Sequence, residues 1–444
     1  MTSRDETLSL LDRALAAAVN AGGDAADAVL MTRSNALTRF ANNIIHQNVA
    51  QDSATLYLRV VMGKRTGCVR TGVLTDAGIR AAAEKAAAIA RSAAEDPEFP
   101  GILHSPTAEP VGQFDEETAS CPPARRAEVA GELIGHIEAA GAVAAGSVST
   151  GAAWVGAANT AGTRQFDRRS TAGINVVAMA DTAAGCAQFT GSRLDEADVA
   201  DRAEFALQKC LASRGPAELE PGEYTVVLEP AVAAVLFQYL GRVAFSAEDL
   251  QRGRSCFQGK LGQRVLDERI TLVDDPHDPD GSPFGFDGEG TPTRPVTLIE
   301  NGVFRAAVYD QKTAAKDGVE STGHGGVPPN PGGPYLNTLL VAPGESTIDR
   351  MIESTGHGLL VSRFHYTNLA ERASAQITGM TRYGLFEIVD GAVSRPVKHL
   401  RFTQSVVDAL SNIDAVGCER ERLGSAVVPA LKINSFRFTG KSDH

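Results

Sequence analysis

The side chains with which this chain could bind a metal or attack a carbonyl are nine histidines and six cysteines, and none is spaced for either task. Cys68, Cys121, Cys186, Cys210, Cys256 and Cys418 are scattered without a Cys-x-x-Cys pair. That argues against a disulfide framework or a zinc ribbon and for a reduced, cytoplasmic setting. Cys256 has no neighbour that would depress its thiol pKa, so an inert, partly buried thiol is expected. His357 and His365 flank an expected strand and cannot both reach one ion without a turn between them. His399, between Lys398 and Leu400, reads as a surface residue on a strand, and His324, between Gly323 and Gly325, as a satisfied loop histidine.

Other motifs fall short by a residue or two. Asp274 to Gly281 looks like a calcium loop, but an EF-hand would need a carboxylate at Pro276 and a glutamate at Asp287. A solvated acidic loop is expected instead. Gly253 to Lys260 has one residue too many for a phosphate loop, and Leu261 stands where Ser or Thr must hold magnesium. Gly440-Lys441-Ser442 lacks the upstream glycine, and Gly285 to Gly290 lacks dinucleotide spacing. No Gly-x-Ser-x-Gly elbow is present for a serine hydrolase.

These fragments must be positioned by a chain of 444 residues, longer than one hydrophobic core usually serves, so two or three domains are expected. The formal charge of −12 argues against a nucleic-acid partner, and Arg125-Arg126 and Arg168-Arg169 read as isolated, solvated pairs. No apolar run reaches the ~20 residues of a membrane helix. Met1 to Glu6 leads into an amphipathic helix carrying Leu8, Leu11, Leu15 and Val19, not into a signal-peptide core.

Strands are expected at Ala28–Met31 and Ala54–Met62, and Asp76 caps an Ala-rich helix to about Ala94. Asp96 to Pro123 reads as a first linker, followed by a helix over Arg125–Ala140, strands around Ala144–Trp154 and Gly173–Ala180, a helix over Glu196–Leu211, and a second linker at Ala212–Pro221. Trp154 reads as a core anchor. Beyond Pro221 come short strands and hairpins turned by Asn301-Gly302 and Asp390-Gly391, with two closing strands in Val427–Phe438. No fixed-period repeat appears. The ordering gives an α+β fold: an N-terminal α/β domain over 1–95, a central α/β region over 96–221, and a β-rich C-terminal domain over 222–444.

Residues Gly222 to Val243 read as a β-branched strand, a turn at Glu229-Pro230 and an apolar helix. Further landmarks are Glu320 to Gly325, Gly356 to Val361, Ser374 to Gly379, Tyr383 to Gly391, Ile413 to Gly417 and Val428 to Lys432. In this order they resemble the C-terminal half of the TldD/PmbA family, with a looser likeness before Pro221. The resemblance implies a zinc-binding His-Glu-x-x-x-His on that helix in catalytic members. Those positions fall here on Gln238, Tyr239, Leu240, Gly241, Arg242 and Val243, and a third, cysteine ligand falls on Leu423.

Zinc chemistry needs fixed ligands and a base, so the resemblance points to the TldE/PmbA-like branch, without metal on this chain. It implies a heterodimer with a TldD-like zinc subunit, in which this chain closes a cleft and shapes a channel for peptides or peptide-like molecules. Tyr239, Arg242 and the landmark residue His324 are the expected cleft residues. Two alternatives stay open: an amide hydrolase or N-deacetylase pair in natural-product biosynthesis, and a stand-alone peptide-binding homodimer modulating a toxin or gyrase system.

Overall fold

The computed structural model describes residues 3–442; Met1 and Thr2, where the leader reading begins, lie outside them. Helix α1 (Arg4–Asn20) starts at a reciprocal cap, in which the Glu6 amide donates to Ser3 Oγ and the Ser3 amide to Glu6 Oε2. Its buried face is Thr7, Leu10, Leu11, Ala14, Leu15 and Ala18, while Val19, expected on that face, is exposed. Strands β1 (Ala25–Ala41), β2 (Ile44–Met62) and β3 (Arg65–Thr71) follow, then α2 (Asp76–Ser92). Thr75, not Asp76, caps α2 by accepting from the Gly78 amide.

The same order recurs after the single turn α3 (Glu116–Ala119): helix α4 (Pro123–Ala139), strands β4 (Val143–Asn159), β5 (Arg164–Ala180) and β6 (Ala183–Gly191), and helix α5 (Val199–Ala212). The two triplets join through β1 and β4 into one antiparallel six-stranded sheet, ordered β3-β2-β1-β4-β5-β6. Segments 1–95 and 96–221 therefore share a sheet, with each half covered by its own helices. The halves even share a close approach. A Cβ on Gly67 of β3 would lie 2.0 Å from the Ala86 carbonyl of α2, and one on Gly185 of β6 would lie 2.3 Å from the Ala206 carbonyl of α5. Glycine at both positions lets strand and closing helix touch. The duplication is structural and leaves no fixed period in the residues.

The segment from Asp96 to Pro123, expected as a linker, is a strap bound along β5. Alternate residues of that strand point the same way, and three polar ones at its start hold the strap. Thr163, just before β5, accepts from the Ser105 amide at 2.8 Å. Gln165 accepts from the Ala108 amide at 2.9 Å and donates to the Pro106 carbonyl at 2.7 Å. Asp167 accepts from the Gly112 amide at 3.2 Å. Trp154 is buried against Phe114 of the strap, with ring centroids 5.7 Å apart. Arg126 is not solvated: it is 2 % exposed and donates to the Cys121 carbonyl and to Thr150 and Asn48.

The C-terminal part is a second, mixed sheet of thirteen strands. Its spine is one long strand, Ala426–Lys441, where two closing strands were expected. Antiparallel to it runs β7 (Glu223–Leu228), which pairs in parallel with His357–Val361. Helix α6 (Pro230–Ala244) begins directly after β7 with proline in its first turn. The hairpin turns Asn301-Gly302 and Asp390-Gly391 have the positive φ expected of them. The fold is thus α+β, with a β-rich C-terminal part whose mixed sheet is mostly antiparallel.

Gln165 also donates to the Gly290 carbonyl of the C-terminal part at 2.9 Å, so one buried side chain pairs three backbone groups. Replacing it by alanine orphans all three. Gln165→Ala should lower stability by about 2–4 kcal/mol, at 1 kcal/mol or more per unpaired buried group, measured as a drop in thermal and urea midpoints.

Candidate functional site

Helix α6 buries Val232, Leu236, Phe237, Leu240 and Val243 completely in the core of the second sheet. Its other face, Gln238, Gly241 and Arg242, lines a cavity of about 870 Å³ walled by the Asn330–Leu336 loop, Arg254, Arg372 and the Gly424-Ser425 turn. Gln238 Nε2 donates to the Leu423 carbonyl at 3.4 Å, so two positions far apart in sequence meet at one wall. The Leu423 side chain turns into the core. Arg242, one helical turn on, is exposed, its guanidinium 5.0 Å from the Tyr239 ring centroid. Tyr239 packs against the core and donates its hydroxyl to the Thr367 carbonyl at 2.5 Å, beside the cavity and not on its surface.

His324 is not brought to this cavity. It is fully buried, and the Thr322 carbonyl, which can only accept, fixes the proton on Nδ1 at 3.0 Å. Its Nε2 lies 3.5 Å from Asp274 and makes no hydrogen bond. Only its backbone carbonyl, accepting from the Tyr335 amide, supports the cavity wall.

These residues do not fit a zinc ion. Gln238, Val243 and Leu423, where the resemblance places ligands, offer a neutral amide and two aliphatic side chains, and Arg242 beside them a guanidinium, so the ion finds no anionic or imidazole ligand. The carboxylate on the wall, Asp249, is buried and bonded by Arg372 and, at 3.0 Å, by Arg254. Among the described residues no group of three His, Cys, Asp or Glu side chains could hold a metal. Sequence reasoning missed Asp249, Arg254 and Arg372, because nothing in their spacing brings Arg372 to the end of α6.

Residues 221–440 match the PmbA/TldA metallopeptidase C-terminal domain, and residues 26–90 match PmbA/TldA metallopeptidase domain 1. The chain belongs to the PmbA/TldD family. It is 29% identical over 206 residues to a metalloprotease of Methanothermobacter thermautotrophicus, covering 45% of this chain and 43% of that one. It is 26% identical over 234 residues to the metalloprotease PmbA of Escherichia coli O157:H7, covering 51% and 49%. These matches span about half the length of the curated relatives. The fold of TldE from Thermococcus kodakarensis superposes with a TM-score of 0.86 at 22% identity, over 97% of this chain and 100% of that one.

Several ionisable groups of this family member sit where the sequence did not place them. Asp274, expected in a solvated loop, is fully buried and accepts from the Asn337 and Thr338 amides at 2.7 and 2.9 Å. His399, expected on the surface, is half-buried, and burial with Arg382 nearby lowers its pKa to about 4. His357 and His365 stay apart, the first against Glu387 at 3.1 Å and the second beside the tilted ring of Tyr366, centroids 4.2 Å apart.

Where the C-terminal part meets the first sheet lie Asp287 and Glu289. Burial pushes Asp287 up to about 6, against the pull of three backbone amides and His324. Burial, then the charges of Asp287 and Asp310, push Glu289 up to about 8, with Arg59 opposing. The residue keeps some surface, yet its carboxyl faces these buried neighbours and accepts from the Gln311 amide at 2.8 Å.

A raised carboxyl pKa means that the unfolded chain ionises Glu289 first while the folded chain holds it protonated. Stability should fall as pH rises from the ordinary value of 4.5 toward about 8. Glu289→Gln keeps the acceptor and removes the charge. It should flatten that decline and raise the thermal midpoint at pH 8 by about 2 °C or more, with little change at pH 5, as read by melting curves across the range.

Proposed function

We propose that this chain is the TldE/PmbA-like, metal-free subunit of a metallopeptidase pair, acting beside a TldD-like zinc subunit on peptides or peptide-like small molecules. One observation supports the reading: the positions that the family resemblance gives to zinc ligands are here Gln238, Val243 and Leu423, none able to hold a metal, and Gln238 meets the Leu423 carbonyl at the wall of the cavity beside α6. In such a pair the zinc subunit breaks the amide bond. This chain closes the cleft, excludes water and positions the substrate, which raises the rate without a catalytic residue of its own. The metalloprotease names of its relatives and its likeness to a TldE fold support the assignment. No helix among the described residues is long and apolar enough to cross a membrane, which fits the cytoplasmic setting we assign.

The partner surface we assign is the outer edge of β2. Strand β3 pairs with β2 only from Leu56 to Met62, so Ile44 to Thr55 present unpaired backbone on that side. Ile44, Ile45 and Val49 are exposed there, with neither proline nor lysine to blunt the edge.

Two sets of measurements check this reading. The purified chain should carry no stoichiometric zinc by elemental analysis and should leave peptides intact, whereas adding a TldD-like subunit should give chelator-sensitive cleavage. Robust cleavage by the chain alone, free of host proteases, would place the enzyme back on it. Second, Ile45→Lys with Val49→Lys should abolish co-elution with the zinc subunit on size exclusion while leaving the thermal midpoint unchanged. Unchanged co-elution would move the interface elsewhere.

A further inference from the structure

The cavity beside α6 carries more positive charge than its carboxylate offsets. Three guanidiniums, of Arg242, Arg254 and Arg372, line it together with the one carboxylate of Asp249. Asp249 is already bonded by two of them, Arg254 and Arg372. Glu248, next to it, is buried and paired with Arg252 at 2.6 Å. Arg372 is further fixed by donating Nη2 to the Arg242 carbonyl at 3.1 Å and Nε to the Arg254 carbonyl at 3.3 Å. That leaves Arg242 with no carboxylate partner among the described residues, held only by the face of Tyr239 at 5.0 Å. A guanidinium prepositioned by stacking, beside a second positive surplus, is a receptor for a planar anion.

The wall made by the 330–336 loop has another character. It is built from Pro334, Tyr335 and Leu336 of the 330–336 loop, with buried Leu339 behind. These surfaces hydrogen-bond little and exclude water from an apolar side chain. The volume of about 870 Å³ holds a few residues and no folded chain.

We propose that this cavity binds the C-terminal carboxylate of a short peptide ending in an apolar residue, with Arg242 as its main anion contact and Leu336 and Tyr335 against the last side chain. The proposal rests on reading the cavity as part of a peptide channel. It names the end of the substrate that this chain holds. The Arg242 guanidinium, one residue before a position that the resemblance gives to a metal ligand, thus anchors the peptide terminus.

The test is calorimetric titration of the full-length chain, without its partner, with the tripeptide Ala-Ala-Leu and with its C-terminal amide. The free acid should bind at least about tenfold more tightly than the amide, the loss expected for one charge-assisted contact. Arg242→Gln should weaken the acid by a similar factor, leave the amide unaffected and keep the thermal midpoint. Arg254→Gln, whose side chain is also exposed, should weaken the acid less. Equal affinity of acid and amide, or an Arg242→Gln chain that binds the acid as before, would overturn the proposal. Inorganic phosphate at equal concentration should not displace the acid; displacement would reveal a general anion site and overturn the peptide assignment. Because no zinc subunit or turnover is involved, a negative result here leaves the paired-subunit reading standing. Failure to reconstitute cleavage would, in turn, leave carboxylate binding unaffected.

Discussion

Two buried polar side chains at the start of β5, Gln165 and Asp167, hold the parts of this molecule in place. A buried amide or carboxylate is costly unless its hydrogen bonds are met, and both residues meet theirs with backbone from two directions. Asp167 accepts from Gly112 of the strap and, at 2.9 Å, from Gly285 of the C-terminal part. Gln165 bonds Pro106 and Ala108 on one side and Gly290 on the other. Burial raises the pKa of Asp167 while the surrounding amides oppose the shift.

The ordering continues to the cavity. Gly285 to Gly290 leads to Asp287, which accepts from the Gly325 amide at 2.7 Å, and Gly288 donates to the Gly325 carbonyl. His324, beside Gly325, accepts from the Tyr335 amide. Tyr335 forms part of the cavity wall facing α6. The first sheet thus positions a wall of a cavity whose floor belongs to the second. His324 acts here as a buried support within that chain of bonds, which is why a histidine between glycines at a family landmark does not reach the cavity surface.

The cavity wall beside α6 carries charge of the opposite sign to that which a metal site needs. A metal site concentrates anionic or neutral donors around a cation. Here the same wall concentrates guanidiniums around one buried carboxylate. Such a wall repels a divalent cation and attracts anionic groups.

What the residues alone determined was local. The strand-turn-helix at Glu223–Ala244, the Asn301-Gly302 and Asp390-Gly391 hairpins and the apolar stripe of α6 follow from periodicity and turn chemistry that neighbouring residues settle among themselves. The residue types at Gln238, Val243 and Leu423, where the family resemblance places zinc ligands, were equally legible, since side-chain type needs no geometry. Tertiary structure decided whatever depends on partners distant in the chain. It made a strap of the Pro- and Glu-rich segment after Asp96, buried Arg126 and Asp274, and paired Arg372 with Asp249. Composition marks such residues as polar and therefore as surface. Only the fold supplies the backbone amides and opposite charges that make their burial affordable, and those partners carry no signature in the spacing of the residues they serve.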